Sequence, residues 1–337
     1  MFEIIETGDE KYLQEIVLLA KKLYDGNESV ASNNENRLKR IFRLNKPGTK
    51  VFLLFQNGTL CGHAAVVPNP IIQHKNYKIA TLGFYECIDD PSASFFLLSH
   101  AQNYAKQINT DYLVGPLDYA TWYDYRFVHP SSTHPVYQEP YNKDYYIAQF
   151  ENFHFKEIAG YISSITDTPM IDPRREKAKK RLDKIGIKIM NKDFSDEKDL
   201  KELYKTECIC WSRQFLYIDI PYEEYIIGRA KLPKIVDKDL TFGFYHPEDG
   251  LCGFLFGIPD ANDPKKETVL LKSIGILPKT ELAGLGVYAA SLMHEKAFEK
   301  GYKKVIHALM RNDNISAATW AKQMPVNKRF SLYGKEI

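Results

Sequence analysis

The sequence holds 337 residues, too many for one ordinary compact core, and that length predicts two domains. Hydrophobic residues make up 44% and charged residues 26%, proportions from which real globular cores can be built. A formal net charge of +2 supplies no whole-molecule field for nucleic acid or an anionic membrane, so neither is expected as a partner and small molecules are.

The N-terminal stretch MFEIIETGDEKYLQ has no basic region leading into an apolar one, and no run of about 18 apolar residues occurs. The expected location is cytoplasmic, neither exported nor membrane-spanning. Residues 10–25 place Leu13, Ile16, Val17, Ala20, Leu23 and Tyr24 on one helical face, with Gly26 as the stop. An antiparallel hairpin follows, with strands over 51–55 and 61–67 around an Asn57-Gly58 turn, and then a strand over 78–86. The spacing predicts a helix over 92–107 that leads into the strand Tyr112-Leu113-Val114, a strand-helix-strand crossover after an antiparallel run. Residues 115–123 follow that strand, at an edge where open sheets present ligands. Nearby, Trp122, Tyr123, Tyr125, Phe127, Tyr137, Tyr141, Tyr145 and Tyr146 read equally as a pocket wall or as packing.

The basic run over 172–181 reads as a solvated linker helix and, second, as a surface for an anionic ligand. Beyond it the plan repeats: a helix over 200–211, a strand over 241–245, a turn at Glu248-Asp249-Gly250, and strands over 251–258 and 268–277. Cys208-Ile-Cys210 lacks the second ligand pair a zinc site needs, so no metal is expected. The five cysteines are an odd number without a disulfide-like framework, which fits a reducing compartment.

The two halves also match residue by residue. Leu60-Cys61-Gly62 and Pro68-Asn69 correspond to Leu251-Cys252-Gly253 and Pro259-Asp260 at one spacing of 191. Thr81-Leu82-Gly83-Phe84 corresponds to Ser273-Ile274-Gly275-Ile276, and 105–114 to 297–306, at a spacing of 192. Shared order and spacing point to an internal duplication.

Residues 274–287 run from a strand through a glycine-containing loop into a helix that stops at Gly301. Glycines let the backbone approach a ligand, and the unpaired amides of a helix start point at an anion such as a pyrophosphate. Ile276, Pro278 and Glu281-Leu282-Ala283-Gly284-Leu285-Gly286 resemble motif A of the GNAT superfamily, in which a strand, a Gln/Arg-x-x-Gly-x-Gly/Ala loop and a helix bind acyl-CoA. Glu281 departs from that pattern and would repel a pyrophosphate unless it turned away or paired with a neighbour such as Lys279. The resemblance continues through the next strand, over 301–309, to Asn312 and Asn314, either of which suits a helix N-cap and a place near the cofactor.

The resemblance implies an α/β fold of two GNAT-like domains in tandem, each a mixed, mostly antiparallel sheet flanked by helices. The first, over 1–165, is degenerate: its loop Glu86-Cys87-Ile88-Asp89-Asp90-Pro91 lacks both glycines and carries three carboxylates, so it is not expected to hold CoA. The second, over 166–337, is the acyl-CoA-binding one. The implied reaction carries an acyl group from acetyl-CoA or another acyl-CoA to a small-molecule amine.

By the same resemblance, the main chain of Ile274 and Ile276 would orient the pantetheine or thioester. The amides of Glu281, Leu282, Ala283, Gly284, Leu285, Gly286 and Val287 would hold the pyrophosphate. The helical tyrosine common in the family is replaced by Thr319-Trp320-Ala321-Lys322. That leaves Tyr333 as the candidate acid and His307 as the candidate base, each with simple packing as its competing role. Glu207, Asp219, Glu223 and Glu224 lie where the family lines its acceptor, or are solvated helix-face carboxylates. Two other functions compete: a non-catalytic acyl-CoA or metabolite-binding protein, suggested by Glu281 and the missing tyrosine, and a tRNA-dependent aminoacyl transferase, against which the near-neutral charge argues.

Overall fold

The computed structural model describes residues 1–337 except 9, 25–36, 38, 41, 43–45, 315 and 322. Two compact units form, and neither is continuous in sequence: the first comprises Met1–Pro130, Pro140–Gly160 and Phe330–Ile337, the second Ser131–Glu139 and Tyr161–Arg329. The main division therefore falls between Gly160 and Tyr161 rather than between 165 and 166, and two short segments belong to the unit opposite their half of the sequence.

In the first unit, β1 (Phe2–Thr7), β2 (Lys50–Gln56), β3 (Thr59–Pro68) and β4 (Ile79–Cys87) pair antiparallel in that order, and β5 (Tyr112–Gly115) lies parallel to β4. The β2–β3 turn takes positive φ at Asn57 and Gly58, 52° and 77°, as a two-residue Asn-Gly hairpin requires. The helix Leu13–Leu23 buries Ile16, Leu19 and Leu23 against Leu53, Ala65 and Phe84. Its expected stop, Gly26, lies outside the described residues. On the other face, the helix Pro91–Gln107 packs Leu97, Leu98, Ala101 and Ala105 on Phe52, Leu54, Val66 and Leu82. Two-residue β6 (Phe127–Val128) precedes the helix Tyr146–Asn152 and β7 (Lys156–Thr166). The C-terminal strand, Val326–Glu336, closes the unit by pairing antiparallel with β5, from Tyr333 opposite Gly115 to Glu336 opposite Tyr112.

The second unit repeats the plan. β8 (Lys188–Asn191), β9 (Phe242–His246), β10 (Gly250–Pro259) and β11 (Thr268–Ile276) pair antiparallel, β12 (Lys304–Arg311) runs parallel to β11, and β7 residues 161–166 flank β12 antiparallel. The helix Leu285–Glu299 covers the face that carries Val269, Leu271 and Val305. The helix Glu197–Trp211 meets the other face, where Trp211 packs edge-on to Phe254 and Cys210 approaches Gly275. No helix among the described residues is long and apolar enough to cross a membrane.

The pairing corrects one part of the repeat. Cys87 stands opposite Gly62 as Ile276 stands opposite Gly253. Likewise, the Ile88 amide donates to Cys61 O (3.0 Å) as the Leu277 amide donates to Cys252 O (2.9 Å). Cys87, not Phe84, is the counterpart of Ile276, so the match of Thr81–Phe84 with Ser273–Ile276 is three residues out of register. The pair Asn69 and Asp260 does hold: each is buried just past its strand, with its amide bonded at 2.9 Å to Ile79 O and to Thr268 O respectively.

Candidate functional site

β11 reaches the helix Leu285–Glu299 through one tight turn, Thr280–Leu282. The amides of Leu282 and Ala283 close that turn on the carbonyls of Lys279 and Thr280, each at 3.1 Å. They are withdrawn from the amide run that the sequence offers to a pyrophosphate, and the run narrows to the helix start. Gly284 precedes the helix at φ +97°, and a Cβ there would stand 3.0 Å from the Ala178 Cβ, so both backbone and space call for glycine. Among the described residues no side chain caps this helix, and the Tyr288 amide, 3.0 Å from Gly284 O, is the first to reach back to a helical carbonyl. The amides of Leu285, Gly286 and Val287 have no such acceptor, and the positive end of a 15-residue helix stands behind them. Gly286 leaves room for a ligand, since the nearest atom to a Cβ there would be Ile274 Cδ1 at 4.0 Å. Leu282 and Leu285 point into the core.

The basic run is part of this bend. The helix Arg175–Lys184 buries Ala178 and Leu182 in the core of the unit, and Arg181 donates to Thr280 O at 2.7 Å, which brings positive charge to the turn. Lys279, the expected partner of Glu281, gives its ammonium to Asp249 at 2.5 Å.

β11 and β12 pair in parallel only from Thr268 opposite Lys304 to Leu271 opposite His307, although both strands continue. Leu309, at φ +62°, and a register shift between His307 and Met310 turn β12 away, so the strands splay. The main chain of Ile274 and Ile276 lies along the opened edge, with both side chains half-buried.

The side chains expected to act as acid and base lie elsewhere. His307 faces the helix Leu285–Glu299, where its Nε2 is 2.7 Å from Nε2 of His294, and Trp320 packs on both rings. Burial lowers His294 to about 4 and His307 well below the usual imidazole range. Both rings are neutral at neutral pH, and their facing nitrogens share one proton, which leaves His307 unsuited to deprotonating an amine. Tyr333 belongs to the first unit, 1% exposed among Phe127 and Phe150, with its hydroxyl 3.3 Å from Glu151. Burial and then that carboxylate push it above the usual phenol range, and it does not share a unit with the glycine bend. Asn314 does cap a turn, accepting the Ala317 amide at 2.7 Å, while Asn312 is exposed just before it. Ile315 and Lys322 lie outside the described residues.

Among the acceptor-side carboxylates, Glu207 is buried and closed off by Arg229 and by Tyr225 Oη at 2.7 Å. Asp219 accepts from Tyr217 at 2.7 Å, and Glu223 and Glu224 sit in the first turn of the helix Tyr222–Arg229. The sequence reading passed over Glu139 and Lys328, buried side chains 3.6 Å apart in the second unit. No local motif marks either; the long-range course of the chain brings them together.

The first unit shows the corresponding bend filled. Asp90 caps the helix Pro91–Gln107, accepting the amides of Ser92 at 2.7 Å and Ala93 at 3.2 Å. At the strand edge, the Cys87 amide donates to Tyr146 Oη (3.2 Å), Tyr145 Oη donates to Cys87 O (3.0 Å), and Gln149 Nε2 donates to Ile88 O (2.8 Å). The main-chain groups at and beside Cys87, the counterpart of Ile276, are therefore occupied by Tyr145 and by the helix Tyr146–Asn152 that follows it. Tyr146 and Phe127 of the aromatic cluster are core residues of this unit, whereas Tyr137 belongs to the second.

No protein-family model matches the chain, and no curated protein matches it. Solved structures do. A tandem GNAT protein from the clavulanic acid biosynthesis pathway, solved without AcCoA, superposes with a TM-score of 0.55 at 11% identity, over 100% of this chain and 98% of its own. A GCN5-related N-acetyltransferase from Sphaerobacter thermophilus gives 0.52 at 12% identity, over 99% and 95%. The GCN5-related glucosamine N-acetyltransferase region of a fungal multi-domain GH3 beta-N-acetylglucosaminidase gives 0.60 at 11% identity; 99% of this chain is covered, and it spans 38% of the fungal one. The chain has the tandem GNAT-like fold.

Proposed function

We propose that this tandem GNAT-like chain is a CoA-dependent N-acyltransferase that takes its acyl donor, acetyl-CoA or a near relative, on the second unit and passes the acyl group to a small amine. The supporting observation is the uncapped helix start at Leu285–Val287, reached through Gly284 and set beside splayed strands. Its amides suit a diphosphate, and the edge at Ile274 and Ile276 suits a pantetheine arm. The filled bend of the first unit supports one donor per chain rather than two.

Calorimetry with acetyl-CoA tests the donor: one site per chain is expected, and a stoichiometry of two or zero rejects the assignment. Release of free thiol on addition of amines tests the transfer. A second reading, binding without turnover, is favoured by the burial of both His307 and Tyr333. Saturable binding with no thiol released over a broad amine panel would select it.

A further inference from the structure

If the donor binds as proposed, its thioester reaches the splay from the face covered by the helix Leu285–Glu299, and the acceptor amine must arrive from the opposite face. An ammonium has to lose a proton before it can attack a carbonyl. That opposite face carries Leu270, Ile306 and Ala308, over which Val136 of the segment Ser131–Glu139 packs. Polar bonds fix the segment there: His134 Nε2 to Asp260 Oδ2 at 3.0 Å, the Tyr137 amide to Asp260 Oδ1 at 2.9 Å, Asn262 Nδ2 to Pro135 O at 3.0 Å, and Lys272 to Gln138 O. Lys272 is the residue of β11 just past its last pair with β12, so this bond holds the end of the segment at the head of the splay.

There the Glu139 side chain is 1% exposed, and neither carboxylate oxygen makes a hydrogen bond of normal geometry among the described residues. Lys328 forms an ion pair with it at 3.6 Å while donating its short hydrogen bond to His134 O at 2.7 Å, and the buried Ser163 hydroxyl, near enough to favour the charged carboxylate, completes no hydrogen bond of normal geometry either. The other buried acids of this unit are hydrogen-bonded: Glu207 by Arg229 and Tyr225, Asp260 by His134 and Tyr137, Asp172 by Arg174, and Asp237 by Lys300 and Tyr302. A buried acceptor left open calls for a partner absent from the bare chain.

We propose that Glu139 is the general base of the second unit. It takes one proton from the acceptor ammonium at the head of the splay; the freed amine forms its N–C bond to the acyl carbon and the C–S bond breaks. The departing thiolate takes up the amine's second proton, and Glu139 returns its own to solvent. Burial raises the Glu139 carboxyl above its ordinary range, against the pull of Lys328 and Lys272, which suits a group that must hold a proton between steps. Burial also lowers Lys328, against Glu139 and Asp260. Among the described residues, Lys328 and Lys272 are the charges that act on it, with Asp260 and His134 next to Lys328.

The test uses the full chain, acetyl-CoA and two kinds of nucleophile. Phenylethylamine, spermidine and ethanolamine are protonated at neutral pH and need a base; hydroxylamine is already unprotonated and does not. Glu139→Gln should lower kcat with the best alkylamine by about 10²- to 10⁴-fold and erase the acidic limb of its pH profile. The hydroxylamine rate and the acetyl-CoA affinity should stay unchanged. Equal alkylamine rates in variant and wild type overturn the proposal, as does an equal loss with both nucleophiles, which marks a structural role. Wild-type turnover of hydroxylamine alone overturns it too, because no base then serves an ammonium. If Glu139→Gln does not fold, Glu139→Asp, one methylene shorter, should show the same split between nucleophiles. Absence of acetyl-CoA binding, or binding without thiol release from any nucleophile, instead defeats the donor reading and takes the base with it.

Discussion

The helix starts at Pro91 and Leu285 occupy the same place in two copies of one crossover, yet they solve the same physical problem in opposite ways. Every helix begins with amides that lack a partner. In the first unit a short three-residue link lets Asp90 supply an internal anion, and two tyrosines and a glutamine satisfy the strand edge beside it. In the second, eight residues, the last a left-handed glycine, carry the chain around the same corner, and no described side chain caps the amides. A cap of the Asp90 kind contributes about 1 kcal/mol, stability that the second unit forgoes at this bend. The lesson is that a binding site can be recognised by what the protein declines to satisfy for itself.

The sharpest way to break the contrast is to give the second unit an anion of its own. Gly286→Asp fits, because its Cβ would meet only Ile274 Cδ1 at 4.0 Å. Two phosphates facing a carboxylate at short range should weaken acetyl-CoA binding on the order of 100-fold or more, since each close like-charge pair costs several kcal/mol near a protein surface. The same change should raise stability by about 1 kcal/mol, as a poor helix former is replaced and the helix dipole is answered. Calorimetry and thermal unfolding on one preparation check both; a variant that loses stability along with affinity would show only misfolding.

Acid should weaken both units, through different histidines. Burial, reinforced by the Arg37 charge, lowers His63 in the first unit to about 3, and burial lowers His294 to about 4 and His307 further in the second. The folded values lie below the unfolded value of about 6.5, so the unfolded chain binds protons first and stability is lost as pH falls below that point. Each histidine should cost about 1.4 kcal/mol by pH 5.5, or about 4 kcal/mol for the three together. Denaturant midpoints at pH 7.5 and 5.5 measure the loss. His63→Leu should remove the first unit's share while leaving the second unit's slope unchanged.

How much of this was legible in the sequence follows the range of the interactions involved. The Asn57-Gly58 hairpin, the helix over 91–107 and the helix start at Gly284 were readable because turn chemistry and periodicity are local. The course of residues 131–139 and 330–337 was not, because Tyr333 opposite Gly115 is a pairing that no window of sequence contains. Tyr333 therefore stands in the sequence as a candidate acid of the donor domain, and no local pattern marks Glu139. The slip at Gly83 has a different cause. Gly83 is small because a Cβ would lie 2.5 Å from Leu117 O and 2.7 Å from Asp118 Oδ1, whereas Gly275 is small because Phe254 would lie 2.5 Å away. The two glycines answer different neighbours, so their alignment carried no common ancestry of position.

Gly284→Ala probes the backbone half of the contrast. The left-handed φ and the 3.0 Å approach to Ala178 should together cost about 1–2 kcal/mol of stability. The loss should appear in the unfolding of the second unit. Saturating acetyl-CoA should recover part of it, because ligand binds only the folded bend. A cost near zero would mean that the turn relaxes freely and that glycine is not needed for its geometry.

The smallest expected effect comes from the opposite exchange, Asp90→Ala, which strips the first unit of its cap. Stability should fall by about 1 kcal/mol as the amides of Ser92 and Ala93 lose their acceptor. The uncapped helix would then resemble the one at Leu285, but calorimetry should still find one acetyl-CoA site per chain. Tyr146 would continue to hold the Cys87 amide, and Tyr145 and Gln149 the carbonyls beside it, so a pantetheine arm would have no free edge to pair with. A second site appearing in Asp90→Ala would mean that the cap alone silences the first unit. A second site only in Asp90→Ala combined with Tyr146→Phe and Gln149→Ala would mean that the strand edge decides, and that donor binding in this fold needs both an unanswered helix start and an unoccupied edge.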